Sequence, residues 1–194
     1  MAALAETADP LSAAILEVSG LSLEFRTPRG QVRALRKVSL AVPRGSIVGL
    51  VGESGSGKST LALAAMGLLP HNARITEGSL RFGGQDLLKL SPAALRRLRG
   101  DRLSMVFQDP MTSLNPVRSI GLQMVDIQYR DRRRSLAEKR AKAAAMLRRV
   151  GIPDPERQLD RHAHEFSGGM RQRIAIAMGV LERPELLIAD EPTT

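Results

Sequence analysis

Gly52-Glu53-Ser54-Gly55-Ser56-Gly57-Lys58-Ser59-Thr60 is the stretch whose reading decides the fold. It follows the apolar run Ile47-Val48-Gly49-Leu50-Val51, which reads as a buried strand, and precedes Leu61 to Met66, which reads as a helix. A glycine-rich loop between a strand and a helix wraps a phosphate chain with backbone N–H groups. The helix start adds its unpaired amides and the positive end of its dipole. Gly52, Gly55 and Gly57 supply the backbone freedom. Lys58 is expected to reach the β- and γ-phosphates, Ser59 to ligate Mg²⁺, and Thr60 to add a bond to the α-phosphate.

Outward from this loop, the N-terminal side reads as β structure. Met1 to Ala14 is a loose leader. Ile15 to Phe25 reads as a strand, Thr27-Pro28-Arg29-Gly30 as a turn, and Val32 to Val42 as the returning strand of a hairpin. On the C-terminal side Gly67 to Ile75 reads as irregular, and Gly78 to Gly84 as a short strand closed by a tight turn. Ser91 and Pro92 start a short basic helix over Ala93 to Arg99. Leu103 to Phe107 is a strand that ends in Gln108.

The next segment is helical. Ile120 to Tyr129 and Ser135 to Val150 read as helices, the second stopped by Gly151, with Pro153 to Asp160 as a loop. Arg130 to Arg134 reads as a solvated helix flank, with contact to a membrane or RNA as the alternative. Ser167-Gly168-Gly169 opens a helix over Met170 to Leu181, and Leu186 to Ala189 is a short apolar strand of the buried parallel kind. That strand ends in Asp190-Glu191.

Composition sets the limits. The 194 residues suffice for a substantial core, and 43% apolar content is ordinary for a globular chain. The absence of cysteine excludes disulfides, thiolate metal sites and cysteine nucleophiles. No apolar run reaches the length of a membrane span, which argues for a protein made and kept in the cytosol. A net charge of +9 would suit nucleic acid, an anionic membrane or nucleotides. With aromatics at 3% and no Trp, the stacking platforms of single-strand binders are mostly missing.

In open α/β sheets ligands collect at the carboxyl ends of strands. Three predicted strands end there in polar residues: Val51 before the loop, Phe107 before Gln108, and Ala189 before Asp190. Asp190 suits the hydration shell of Mg²⁺, and Glu191 suits polarisation of an attacking water. Ser167-Gly168-Gly169 is a second anion-binding helix start without a lysine. One nucleotide does not need both, which suggests a site shared between two subunits.

These residues resemble ATP-binding cassette ATPases. Gly52 to Thr60, Gln108, Ser167 to Gln172 and Leu186 to Glu191 match the Walker A, Q-loop, signature and Walker B motifs in the family's order. Phe107 to Pro116 and Phe166 to Arg173 further resemble the ATPase subunits of dipeptide, oligopeptide and nickel importers. The resemblance implies an α/β P-loop NTPase core over residues 15–194, with an N-terminal antiparallel β subdomain and a helical subdomain inserted at about 117–180.

It also implies ATP and Mg²⁺ as ligands and a head-to-tail dimer around two ATP molecules. Ser167, Gly168 and Gly169 of one subunit would meet the γ-phosphate held by Lys58 of the other. Glu53, Ser54, Ser56 and Gln172 belong to the implied nucleotide site, Gln108 to its sensor and metal shell, and Glu191 with Lys58 and Gln108 to catalysis. Phe25 matches the aromatic that stacks on adenine; its alternating strand equally suits a core residue.

The implied partners are transmembrane permease subunits, a second cassette ATPase and, indirectly, an external solute-binding protein, at the cytoplasmic face of the membrane; no nucleic acid is expected. A soluble cassette ATPase acting on nucleic acid or the ribosome is the second reading, and a small-molecule kinase the third. Two departures stand out. His162-Ala163-His164 replaces the family's usual Tyr-Pro-His, with a histidine metal pair as a minor possibility. The sequence stops at Thr194, before the family's partner-contacting loop, later strands and switch histidine. An N-terminal part of a longer subunit, truncated or incompletely covered, is expected, one that binds nucleotide and hydrolyses it poorly or not at all without those elements.

Overall fold

The computed structural model describes residues 14–109 and 113–192. The expected leader therefore lies, but for Ala14, outside the described residues, as do Pro110, Met111, Thr112, Thr193 and Thr194. The chain divides into two compact units, the first ending at Arg97 and the second beginning at Leu98.

In the first unit, β1 (Ala14–Thr27) and β2 (Gly30–Pro43) form the expected antiparallel hairpin, with Thr27 opposite Gly30 across the Pro28-Arg29 turn. β3 (Ala73–Phe82) pairs antiparallel with the other edge of β1, and β4 (Gln85–Asp86) returns along the end of β3, giving the order β2-β1-β3-β4. Alternation explains the core: Leu21 and Leu23 of β1 and Leu80 and Phe82 of β3 are fully buried. β3 begins at Ala73, inside the stretch expected to be irregular, because β1 supplies a partner for Ala73 to Ile75.

α1 (Lys58–Met66) follows the glycine loop and buries Leu61, Ala64, Ala65 and Met66. α2 (Pro92–Leu98) starts as expected, with the Ser91 hydroxyl accepting a hydrogen bond from the Ala94 amide at 3.3 Å.

One expected element is absent. Ile47 to Val51 forms no strand; Ile47 and Val51 are 102% and 95% exposed. Apolar, β-branched residues favour a strand only where a neighbouring strand completes the hydrogen-bond ladder and other layers cover both faces. Among the described residues this segment has no ladder partner.

In the second unit, β5 (Leu103–Val106) and β6 (Leu186–Ala189) pair in parallel, from Leu103 opposite Leu186 to Val106 opposite Ala189. The helices are α3 (Ile120–Ile127), α4 (Leu136–Arg149), the single turn α5 (Pro155–Gln158) and α6 (Gly168–Val180). Met124, Leu147, Leu159, Phe166, Ile174 and Leu181 pack together in their shared core. Each such fully buried side chain contributes about 1.5–3 kcal/mol.

Local chemistry sets the ends of α4. The Ser135 hydroxyl accepts from the Glu138 amide at 3.3 Å while the Glu138 carboxylate accepts from the Ser135 amide at 2.7 Å, a capping box. Gly151, at φ 75°, follows its last turn. The buried Gln128 joins α3 to α4 by donating to the carbonyls of Met124 and Lys139 at 3.1 and 3.0 Å.

Pro153 to Asp160 is more ordered than a loop. Pro155 begins α5, and the chain beyond it is stitched to the start of α3 by Gly121 N–H to Leu159 O at 2.6 Å and Ile120 N–H to Arg161 O at 2.8 Å. In the arginine-rich flank, Arg130 pairs with Asp101 and Arg134 with Asp131, while Arg132 and Arg133 are exposed.

Candidate functional site

The first cluster lies in the first unit. Gly52 to Gly57 turns the chain into α1, and no side chain caps that helix. Its leading amides are therefore left for an acceptor from outside, beside the positive end of the helix dipole. Gly57 sits at φ 99°; a Cβ there would lie 2.8 Å from Leu35 Cδ2 and 2.9 Å from the Ala34 carbonyl oxygen. Only glycine combines that dihedral with so close an approach of β2.

The Lys58 ammonium folds back over the loop and donates to the carbonyls of Gly52 at 2.8 Å and Glu53 at 3.0 Å. Neutral carbonyls leave its charge unneutralised. The cation stands within the loop that the helix dipole already makes positive. Ser54, Ser56 and Ser59 are exposed and Thr60 is half-buried. Phe25, opposite Val32 and Ala73, is also half-buried, outside the fully buried core.

The second cluster lies in the second unit, at the carboxyl ends of β5 and β6. Their parallel register places Val106 beside Ala189, and the ladder extends through the Asp190 amide to the Val106 carbonyl at 3.0 Å. The residues that follow the two strands thus emerge side by side. The Gln108 side-chain amide donates to the Glu191 carboxylate at 2.6 Å. Glu191 has φ 46°, a left-handed conformation uncommon outside glycine.

Gln172, on the second turn of α6, donates to the Pro192 carbonyl at 2.6 Å. The sequence assigned this side chain to the nucleotide; its amide hydrogen is engaged on the backbone that follows Glu191. Neither partner could be found from sequence spacing, because each pairing joins distant parts of the chain.

The N-terminus of α6 is the third feature. The Ser167 hydroxyl accepts from the Met170 amide at 3.3 Å, so Ser167 is the helix cap. Gly168 and Gly169 are exposed, and a Cβ on either would meet nothing within 4 Å. Two outward-facing backbone amides at a helix start suit an anion approaching from outside the unit.

Just before it, the His162 and His164 rings stack 5.7 Å apart, and Glu165 binds back to this turn. Its carboxylate accepts from the His162 amide at 2.6 Å and from Arg161 Nε at 3.1 Å, and these bonds, the backbone one first, hold its pKa below the ordinary glutamate value. No group of three or more His, Cys, Asp or Glu able to hold a metal occurs among the described residues. The histidine pair therefore gains no further ligand from those residues.

The donor sets fit the expected ligands. A lysine lying on neutral carbonyls, beside an uncapped helix start, fits a polyphosphate. In the first unit Ser59 offers a hydroxyl oxygen, and in the second Gln108 and Asp190 offer amide and carboxylate oxygens, each a hard donor of the kind Mg²⁺ takes. The bond to Glu191 uses Gln108 Nε2 and does not involve its Oε1.

Comparison with known proteins agrees in kind. The family described as "ABC transporter" matches residues 35–194. The dipeptide transport ATP-binding protein DppD of Escherichia coli (strain K12) is 46% identical over 181 residues, which is 93% of this chain and 55% of that protein. The oligopeptide transport ATP-binding protein OppD of the same organism is 47% identical over 181 residues, 93% of this chain and 53% of that protein. The chain thus spans about half the length of the curated relatives it matches. Among solved structures, a dimeric post-hydrolysis state of the ATP-binding cassette MJ0796 bound to ADP and Pi superposes with a TM-score of 0.82 at 26% identity, covering 92% of this chain and 74% of that one.

Proposed function

Because the chain belongs to the ABC transporter family, we propose that it is the nucleotide-binding part of an ATPase subunit that energises uptake of peptides or related small solutes through a membrane permease. The observation that carries the ATPase half is the meeting of Gln108 with Glu191 where two parallel strands end, next to Asp190. The peptide half rests on the similarity to dipeptide and oligopeptide transport proteins.

Bound MgATP would supply the phosphoanhydride whose cleavage drives transport. Within this chain, Lys58 and the amides of Gly52 to Thr60 hold the phosphates, with Glu53, Ser54, Gly55, Ser56 and Gly57 forming the loop. Ser59 of the first unit, and separately Gln108 and Asp190 of the second, carry oxygens of the kind Mg²⁺ takes. Glu191 accepts the proton of the attacking water, and Gln108 fixes the direction of its carboxylate. Phe25 stacks on the base.

Ser167, Gly168 and Gly169 serve the site of a second cassette. Their exposure supports that role, since a helix start packed inside its own unit could not reach a partner's phosphate. Among the described residues no helix is long and apolar enough to cross a membrane. The protein would act at the cytoplasmic face, bound to permease subunits that take solute from an external binding protein.

Uptake of a radiolabelled dipeptide or tripeptide by cells lacking the gene, with and without the restored wild-type copy, tests the reading. Restored uptake that Glu191→Gln abolishes is the expected result. Full uptake with Glu191→Gln, or salt-sensitive RNA binding with no effect on uptake, would overturn it.

A further inference from the structure

We infer that Gln172 is a positioning residue for Glu191, which connects the helix carrying the second anion site to the carboxylate that handles the attacking water. The inference rests on the proposed ATPase reading and adds a role for a side chain that the sequence pattern assigns to nucleotide.

Glu191 is held from three directions. On its N-terminal side the Asp190 amide is bonded to the Val106 carbonyl, which continues the parallel ladder one residue past β6. Its own carboxylate is held by Gln108. On its C-terminal side the Pro192 carbonyl accepts the Gln172 amide at 2.6 Å, in a partly buried contact. Glu191 itself has φ 46°, a dihedral uncommon outside glycine that persists only where the surroundings impose it. Gln172 grips the segment on the far side of that strained residue.

Gln172 is also five residues from Ser167, the cap of α6, on a helix whose later residues Ile174 and Ala177 are fully buried. A shift of the α6 N-terminus therefore carries Gln172 with it, and through the Pro192 carbonyl it reaches Glu191. This gives a physical path by which an anion at Gly168 and Gly169 alters the aim of the carboxylate in the same unit. A glutamine suits the task because its Nε2 is a donor and a carbonyl accepts only from donors.

The test is Gln172→Glu, which keeps the shape and removes the donor, with Gln172→Leu as a second variant, both in the assembled transporter. Steady-state ATPase rates and nucleotide affinity are measured for each, and the double variant with Glu191→Gln is included. A positioning role predicts that kcat falls about tenfold while ATP affinity is unchanged. It further predicts that Gln172→Glu slows a Glu191→Gln protein no further, since the group it positions is already disabled. A rise in Kd for ATP at unchanged kcat would make Gln172 a nucleotide ligand and overturn the inference. So would unchanged kcat, or an undiminished loss in the Glu191→Gln background. If the wild-type transporter hydrolyses no ATP, the ATPase reading itself fails first.

Discussion

Gln108 and Glu191 are 83 residues apart in the chain, yet the side-chain amide of one donates to the carboxylate of the other at 2.6 Å. The parallel pairing of β5 with β6 brings them together, because both residues follow within two positions of the strand ends. Gln108→Ala removes the only side chain recorded on that carboxylate among the described residues and leaves an exposed, strained glutamate unaimed. ATP turnover should fall roughly tenfold or more. If Gln108 acts toward the cation as proposed, affinity for ATP should fall in the presence of Mg²⁺ and stay unchanged in EDTA; calorimetric titration in both conditions checks this.

Lys58→Ala should abolish measurable ATP binding. The ammonium it removes is the positive side chain folded across the loop carbonyls. Fluorescent-nucleotide titration would show a dissociation constant raised about a hundredfold or more, since the charge-assisted bonds from the ammonium to phosphate are lost. Binding at wild-type affinity would remove the loop from the proposed site.

Glu191→Gln should retain ATP binding and slow turnover by about a hundredfold or more. The amide can still accept from Gln108 but cannot take a proton from water. Size-exclusion chromatography with ATP should then show more of a two-cassette species than the wild type gives under the same conditions.

Two glycines in one loop separate dihedral strain from packing. Gly57→Ala meets both a φ of 99° and atoms of Ala34 and Leu35 under 3 Å away, and should destabilise the protein by about 2–4 kcal/mol. Gly55→Ala, at φ 79° with open space around it, should cost about 1 kcal/mol. Urea unfolding midpoints for the two variants decide the order.

Glu165 predicts a pH dependence. Its folded pKa is lowered, first by the His162 amide and then by Arg161, so the stability it adds is fully present above the ordinary glutamate value. That stability is lost as pH falls through the lowered value. Glu165→Gln should therefore melt below the wild type at neutral pH, and the two curves should converge in acid, as thermal melts across the range would reveal.

Much of this was legible in the sequence because it depends on neighbours in the chain. The β1–β2 turn follows from Pro28-Arg29-Gly30, the start of α4 from Ser135 and Glu138, and the start of α6 from Ser167 with its glycines. Lys58 follows Gly57 at the head of α1 for the same local reason. The candidate loop and the strand-end acids were therefore readable, while the partners of Gln108 and Gln172 were not.

What the tertiary structure alone decided are the features that need a partner from elsewhere. Ile47 to Val51 has the composition of a strand but, among the described residues, no ladder beside it, so it remains exposed and forms no strand, whereas Ala73 to Ile75 becomes strand because β1 lies alongside. Gln108 finds Glu191, and Gln172 finds Pro192, through a parallel pairing and a helix packing that no local pattern encodes. Helix caps and turns close their hydrogen bonds within a few residues, and so the sequence determines them; ladders and side-chain clasps close across the fold, and only the packed chain chooses their partners.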